Sequence, residues 1–68
     1  MYKIIEIVNR KILINVNDIS YITIIDNKII FYMNNSSTIT AIYDNANRLY
    51  KTIKEFILDS QANIMQIE

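Results

Sequence analysis

The chain contains neither glycine nor proline. Without these residues, turns must be built from asparagine, aspartate and serine, and the first two tolerate a positive φ. Short clusters with such residues lie at 9–10, 17–18, 26–27 and 34–37, and they separate runs rich in isoleucine, valine, phenylalanine and tyrosine. This spacing is typical of a β-meander.

The apolar runs predict five strands, at 2–8, 11–16, 19–26, 28–34 and 37–42. Isoleucine supplies 17 of the 68 residues, and its branched side chain suits a pleated strand. Two connections have the length of tight hairpins. One joins the first two predicted strands, and the other, at Asp26 and Asn27, joins the third and fourth.

The hydrophobic period changes after Ile42. Apolar residues then recur at spacings of three and four, which is the period of one helix face: Ala46, Leu49, Tyr50, Ile53, Phe56 and Ile57. We predict one amphipathic helix of about 14 residues from this pattern. Asp44 or Asn45 is expected to cap its first turn.

The predicted fold is a small α+β domain over residues 1–58. It is an antiparallel β-meander of four to five strands followed by one amphipathic C-terminal helix that packs on one sheet face. Residues 59–68 form a tail with three open interpretations. The tail is a last short strand, an edge that pairs with another chain, or a frayed end, and its apolar residues are Ile64, Met65 and Ile67.

Alternation along the strands predicts an apolar residue set on each sheet face. One set is expected to meet the helix: Ile22, Ile24, Ile29, Phe31 and Met33. A helix covers one face only, so the other set is a candidate protein interface, and it comprises Leu13, Tyr21, Ile25, Ile30 and Tyr32. Two alternatives stay open: a rolled sheet or the folded-back tail covers this face, or a one-residue error in strand phase exchanges the two faces.

Composition argues against most catalytic chemistry. The chain has no histidine and no cysteine, the usual general base and thiol nucleophile. Without glycine it also lacks a phosphate-cradling loop, and the segment 15–18 lacks the glycine and distal glutamate of a calcium loop. We therefore expect no enzyme activity, no cofactor and no metal site, and read the serines at 36 and 37 as turn residues.

Charge and hydropathy narrow the partners. Seven basic and seven acidic residues give a formal net charge of zero, which argues against binding to nucleic acid or to an anionic membrane. The longest apolar run covers five residues, 29–33, far short of the roughly 20 that span a bilayer. The first residues do not resemble a signal peptide. We expect a cytoplasmic protein.

One ordered set of segments runs through the strands and into the helix: 9–19, Ile22, 29–33, 34–36, 42–45, Leu49 and Ile53. Together they resemble the FlbD-type small proteins of flagellar operons, over roughly residues 4 to 57. The resemblance implies a β-meander followed by a helix, and an accessory role in a flagellar system. It implies no catalytic residue.

We interpret the chain as a non-catalytic protein-interaction module. Its small size, its lack of catalytic groups and its second apolar sheet face favour a protein that binds and inhibits a host defence protein. Isoleucine, asparagine, lysine and tyrosine, whose codons are rich in A and T, make up 36 of the 68 residues and indicate an AT-rich genome such as that of a phage or other mobile element. The alternatives are the flagellar-operon role and an oligomeric binder of a small ligand or nucleic acid. A homodimer or higher oligomer is expected, because self-association is the commonest way to bury an apolar face.

Overall fold

The computed structural model describes residues 2–68. It has six strands and one helix, in the order β1 (Ile4–Ile7), β2 (Ile12–Asn15), β3 (Ile19–Ile25), β4 (Lys28–Met33), β5 (Thr38–Ile42), α1 (Ala46–Leu58) and β6 (Ile64–Ile67). The predicted α+β class is confirmed, with more strands than the four to five expected. The predicted domain starts at residue 1, which lies outside the described residues.

The strands form two three-stranded sheets, with the orders β2–β1–β6 and β3–β4–β5. The predicted continuous meander is therefore divided between β2 and β3. A 3₁₀ turn at Val16–Asp18 causes the break, and the Asn15 side chain accepts the backbone N–H of Asn17 there. This local bond turns the chain out of the first sheet before β3 begins.

The tail forms the third strand of the first sheet. Strand β6 runs parallel to β1, with Ile4 opposite Ile64 and Ile7 opposite Ile67. Lys3 fixes the approach to this strand, because its ammonium donates to the carbonyls of Asp59 and Ala62 just beyond the helix. Of the three interpretations of the tail, the structure shows the short strand.

The turns reach a positive φ without glycine. Asp26 (φ 56°) and Ser36 (φ 74°) take this conformation in the hairpins of the second sheet, as the turn clusters predict. Lys11 (φ 55°) takes it unexpectedly between β1 and β2. A 3₁₀ turn at Val8–Arg10 precedes Lys11, so the connection is longer than the tight hairpin that was predicted.

One core joins the inner faces of both sheets to α1. Its buried members are Ile5, Ile7, Ile14, Ile29, Phe31, Ala41, Ala46, Ile53, Phe56 and Ile67. The residue set predicted to face the helix does so, since each of its members is buried or packs against this core. Asn45 is the N-cap residue of α1, but its side chain makes no capping hydrogen bond within the described chain. The prediction that its side chain caps the first turn is therefore wrong.

The helix is 13 residues long and carries charged residues on its outer side. Residues 2–68 accordingly contain no helix with the length and apolar character needed to cross a membrane.

Two isoleucines of β6 allow a matched test of the tail. Ile67 is 4% exposed and Ile64 is 68% exposed. We predict that Ile67→Ala lowers the free energy of unfolding by about 2–5 kcal/mol, whereas Ile64→Ala changes it by less than about 0.5 kcal/mol. Urea denaturation measures both values.

If Ile67→Ala leaves no folded protein, Ile67→Val should still fold with a loss of about 0.5–1.5 kcal/mol. Equal effects at positions 64 and 67 would contradict the packing of β6 against the core.

Candidate protein-binding face

The strand register builds a regular grid on the side of the second sheet that faces away from the helix. Each β4 residue in this grid has one partner on β3 and one on β5. The three rows are Tyr21–Tyr32–Thr38, Thr23–Ile30–Thr40 and Ile25–Lys28–Ile42. We call these nine residues the outer face. Five of them are tyrosine or isoleucine, so the surface is largely apolar.

The two tyrosines of the outer face stack on each other. The ring centroids of Tyr21 and Tyr32 lie 4.3 Å apart, and the ring planes differ by 13°. The register explains the contact, because directly opposed residues on one sheet face lie within reach of each other's side chains. The stack fixes both rings and leaves Tyr21 55% exposed.

Four of the five predicted interface residues come together on this face: Tyr21, Ile25, Ile30 and Tyr32. Their role as an interface stays a prediction. Ile25 is 54% exposed, and Ile30 and Tyr32 are half-buried by their neighbours.

Leu13 does not join them. It lies on β2, opposite Glu6 of β1, and therefore belongs to the other sheet. It is 69% exposed, but its surroundings are polar, because Gln66 Nε2 donates to Glu6 Oε1 at 2.9 Å on the same side of that sheet. The break at Val16–Asp18 separates Leu13 from the tyrosines.

Sequence reasoning missed one apolar member of the outer face. Ile42 ends β5 and is exposed, and it lies opposite Lys28. The alternation of Thr38, Thr40 and Ile42 within the predicted strand 37–42 is enough to place these residues on one face. Assigning that face to the side of Tyr32 would have included Ile42 in the predicted interface.

The outer face carries little charge. Lys28 is the one charged side chain among its nine residues. The Thr23 hydroxyl oxygen is buried between larger neighbours and has no hydrogen-bond partner within residues 2–68. The face thus offers aromatic and aliphatic contact area and one cation, whereas the Thr23 hydroxyl is covered.

Tyr43 is a titratable group outside the nine residues of the outer face. Burial raises the pKa of Tyr43, and the nearby Arg10 charge opposes that shift, but Tyr43 packs against the core. Among the residues described, no three acidic side chains lie close enough together to hold a metal ion.

Comparisons of the chain with protein-family models, with curated proteins and with solved structures found no match.

The stacked tyrosines give a testable coupling energy. In a double-mutant cycle of Tyr21→Ala and Tyr32→Ala, we predict an interaction of about 0.5–1.5 kcal/mol in the free energy of unfolding. Tyr2→Ala combined with Tyr32→Ala is the control. Tyr2 lies beside Asn63 and Ile64 near the first sheet, away from Tyr32, so the two effects should add. Additivity of Tyr21→Ala and Tyr32→Ala would contradict the stack.

Proposed function

We propose that this protein is a non-catalytic protein-binding module and that its outer face is the binding surface. The observation that carries the proposal is the exposed grid of isoleucine and stacked tyrosine on the helix-free side of the β3–β4–β5 sheet. Contiguous apolar surface of this kind marks interaction sites. Tyrosine suits such a site because it combines a rigid apolar body with a polar tip.

Two features favour a protein partner over a nucleic acid. Proteins that bind single strands stack bases on free aromatic rings set among lysine and arginine. Here Tyr21 and Tyr32 each cover one face of the other ring, and Lys28 is the single cation of the grid. The net charge of zero also provides no long-range attraction for a polyanion.

The composition of the outer face predicts the polarity and charge of the partner surface. It should be apolar and nearly uncharged across its centre, with a carboxylate opposite Lys28 at the edge. A host defence protein and a flagellar component are the two partner classes expected from the sequence, and both stay predictions.

Two paired lysine substitutions test the proposal. Ile30→Lys with Tyr32→Lys places two charges at the centre of the outer face. Tyr2→Lys with Leu13→Lys places two charges at exposed apolar positions outside the outer face, one just before β1 and one on β2. In native mass spectra of protein purified from its own organism, we expect wild type and the second variant to retain a bound protein. In the first variant, the dissociation constant for that protein should rise at least about tenfold, or 1.4 kcal/mol.

Far-UV circular dichroism of both variants should match wild type, because the substituted side chains point away from the core. The proposal fails if the Ile30→Lys, Tyr32→Lys variant keeps its partner, if both variants lose it equally, or if wild type carries no protein at all.

A further inference from the structure

Strand β3 has an open edge, because β4 is its sole partner among the described strands. The backbone bonds define which groups point outward. Met33 N–H donates to Ser37 C=O at 2.9 Å and Tyr43 N–H donates to Asn27 C=O at 2.8 Å, so the odd-numbered residues of β4 bond toward β5. Its even-numbered residues therefore bond to β3, where their partners are Tyr21, Thr23 and Ile25. By alternation, the N–H and C=O groups of Ile22 and Ile24 point out of the sheet.

On the opposite edge of the same sheet, a side chain bonds one outward-pointing backbone group. Arg10 Nη1 donates to the outward-pointing carbonyl of Thr40 on β5 at 2.6 Å. Strand β3 has no comparable cover, since none of the side-chain hydrogen bonds within residues 2–68 reaches its backbone. It is seven residues long and contains no lysine, other charge or proline, which are the usual devices that keep an edge from pairing.

We propose that a second copy of this chain occupies the β3 edge. The two β3 strands pair antiparallel about a two-fold axis and make one six-stranded sheet, in which the two outer faces become continuous. The inference goes beyond the proposed function, since it concerns the edge of the sheet and needs no other protein.

The residues of β3 are complementary to themselves about Thr23. A bulge at Ser20 leaves Tyr21 to Ile25 as the regular part of the strand, and Thr23 is its midpoint. Pairing centred there sets Thr23 against the partner's Thr23 as a non-hydrogen-bonded pair, with Cα atoms about 4.5 Å apart. Opposed threonines hydrogen-bond to each other. The Thr23 hydroxyl is covered and has no partner within the described monomer, and a rotation of its side chain toward the axis would give it one.

The same register covers the exposed ends of the strand. Tyr21 comes to lie beside the partner's Ile25, which is a favourable aromatic and β-branched pair. Both side chains are more than half exposed in the monomer. An uncharged strand meets its own copy without like-charge repulsion, which makes a second copy a better occupant than a charged segment.

A groove along β3 supports the same pairing. It lies between the strand and α1, has a volume of about 390 Å³, and is lined mainly by apolar side chains that include Ile19, Ile22, Tyr50 and Leu58. Leu58 is 75% exposed. Antiparallel pairing about Thr23 brings the end of the partner's β3 strand to the edge of this groove, because Ile22 comes to lie opposite the partner's Ile24.

Charge substitutions at the axis test the proposal on the purified chain. Native mass spectrometry and sedimentation velocity should show a wild-type dimer. Thr23→Lys and Thr23→Glu each place two like charges at the axis, and each should raise the dimer dissociation constant at least about tenfold. An equimolar mixture of the two variants should recover a dimer with one chain of each kind, because the opposed charges then attract.

Ile42→Lys is the matched control. It adds the same charge to the outer face at an exposed position on β5, two strands from the proposed axis, so the edge-paired dimer should persist. If both Thr23 variants lose secondary structure, Ile25→Lys carries the test. This exposed position tolerates lysine in the monomer, and the charge would lie beside the partner's Tyr21 and weaken the dimer.

Three results would overturn the proposal: a wild-type chain that stays monomeric at hundreds of micromolar, folded Thr23 variants that dimerise like wild type, or dissociation by Ile42→Lys, which would indicate face-to-face association. Each of these can occur whether or not the outer face binds another protein, so the two proposals fail separately.

Discussion

The packing of a single core against one face of each sheet is the constraint on which this structure depends. A chain of 68 residues buries only about 60% of the surface of its unfolded form. Here Ile29 and Phe31 of the second sheet pack with Ile53 and Phe56 of the helix, and the inner face of the first sheet completes the same cluster. All of the fully buried side chains are used in this way, so the outer sheet faces and the strand edges remain for contact with other molecules.

The sides of the two sheets that face away from the core differ in chemistry. On the first sheet, the Gln66–Glu6 hydrogen bond and the exposed Leu13 share a mixed polar surface. On the second sheet, stacked tyrosines and isoleucines form the nine-residue grid with one cation. The edges also differ, because Arg10 bonds the Thr40 carbonyl on the edge of β5, whereas no side-chain hydrogen bond within residues 2–68 reaches the backbone of β3. The apolar face and the open edge therefore adjoin each other.

Local patterns in the sequence predict much of this arrangement. The alternation in β3 and β4 assigns Ile22 and Phe31 inward and Tyr21 and Tyr32 outward, because a two-residue turn fixes their register. The spacing of apolar residues likewise predicts α1. Long-range features escape such patterns, because β6 has four residues and pairs in parallel with β1, 60 positions away. The turn that separates Leu13 from the tyrosines also escapes them, because its three residues and the Asn15 side-chain bond show no hydrophobic period.

Residue-resolved amide hydrogen exchange at low and high protein concentration tests the central claim, that this protein associates through the open side of its second sheet. The account predicts that the amides of Ile22 and Ile24 become protected as the concentration rises, because their outward N–H groups bond to a second chain. The amide of Ile42 on the other edge should exchange at the same rate at both concentrations. Rapid exchange of Ile22 and Ile24 at every concentration would contradict the account.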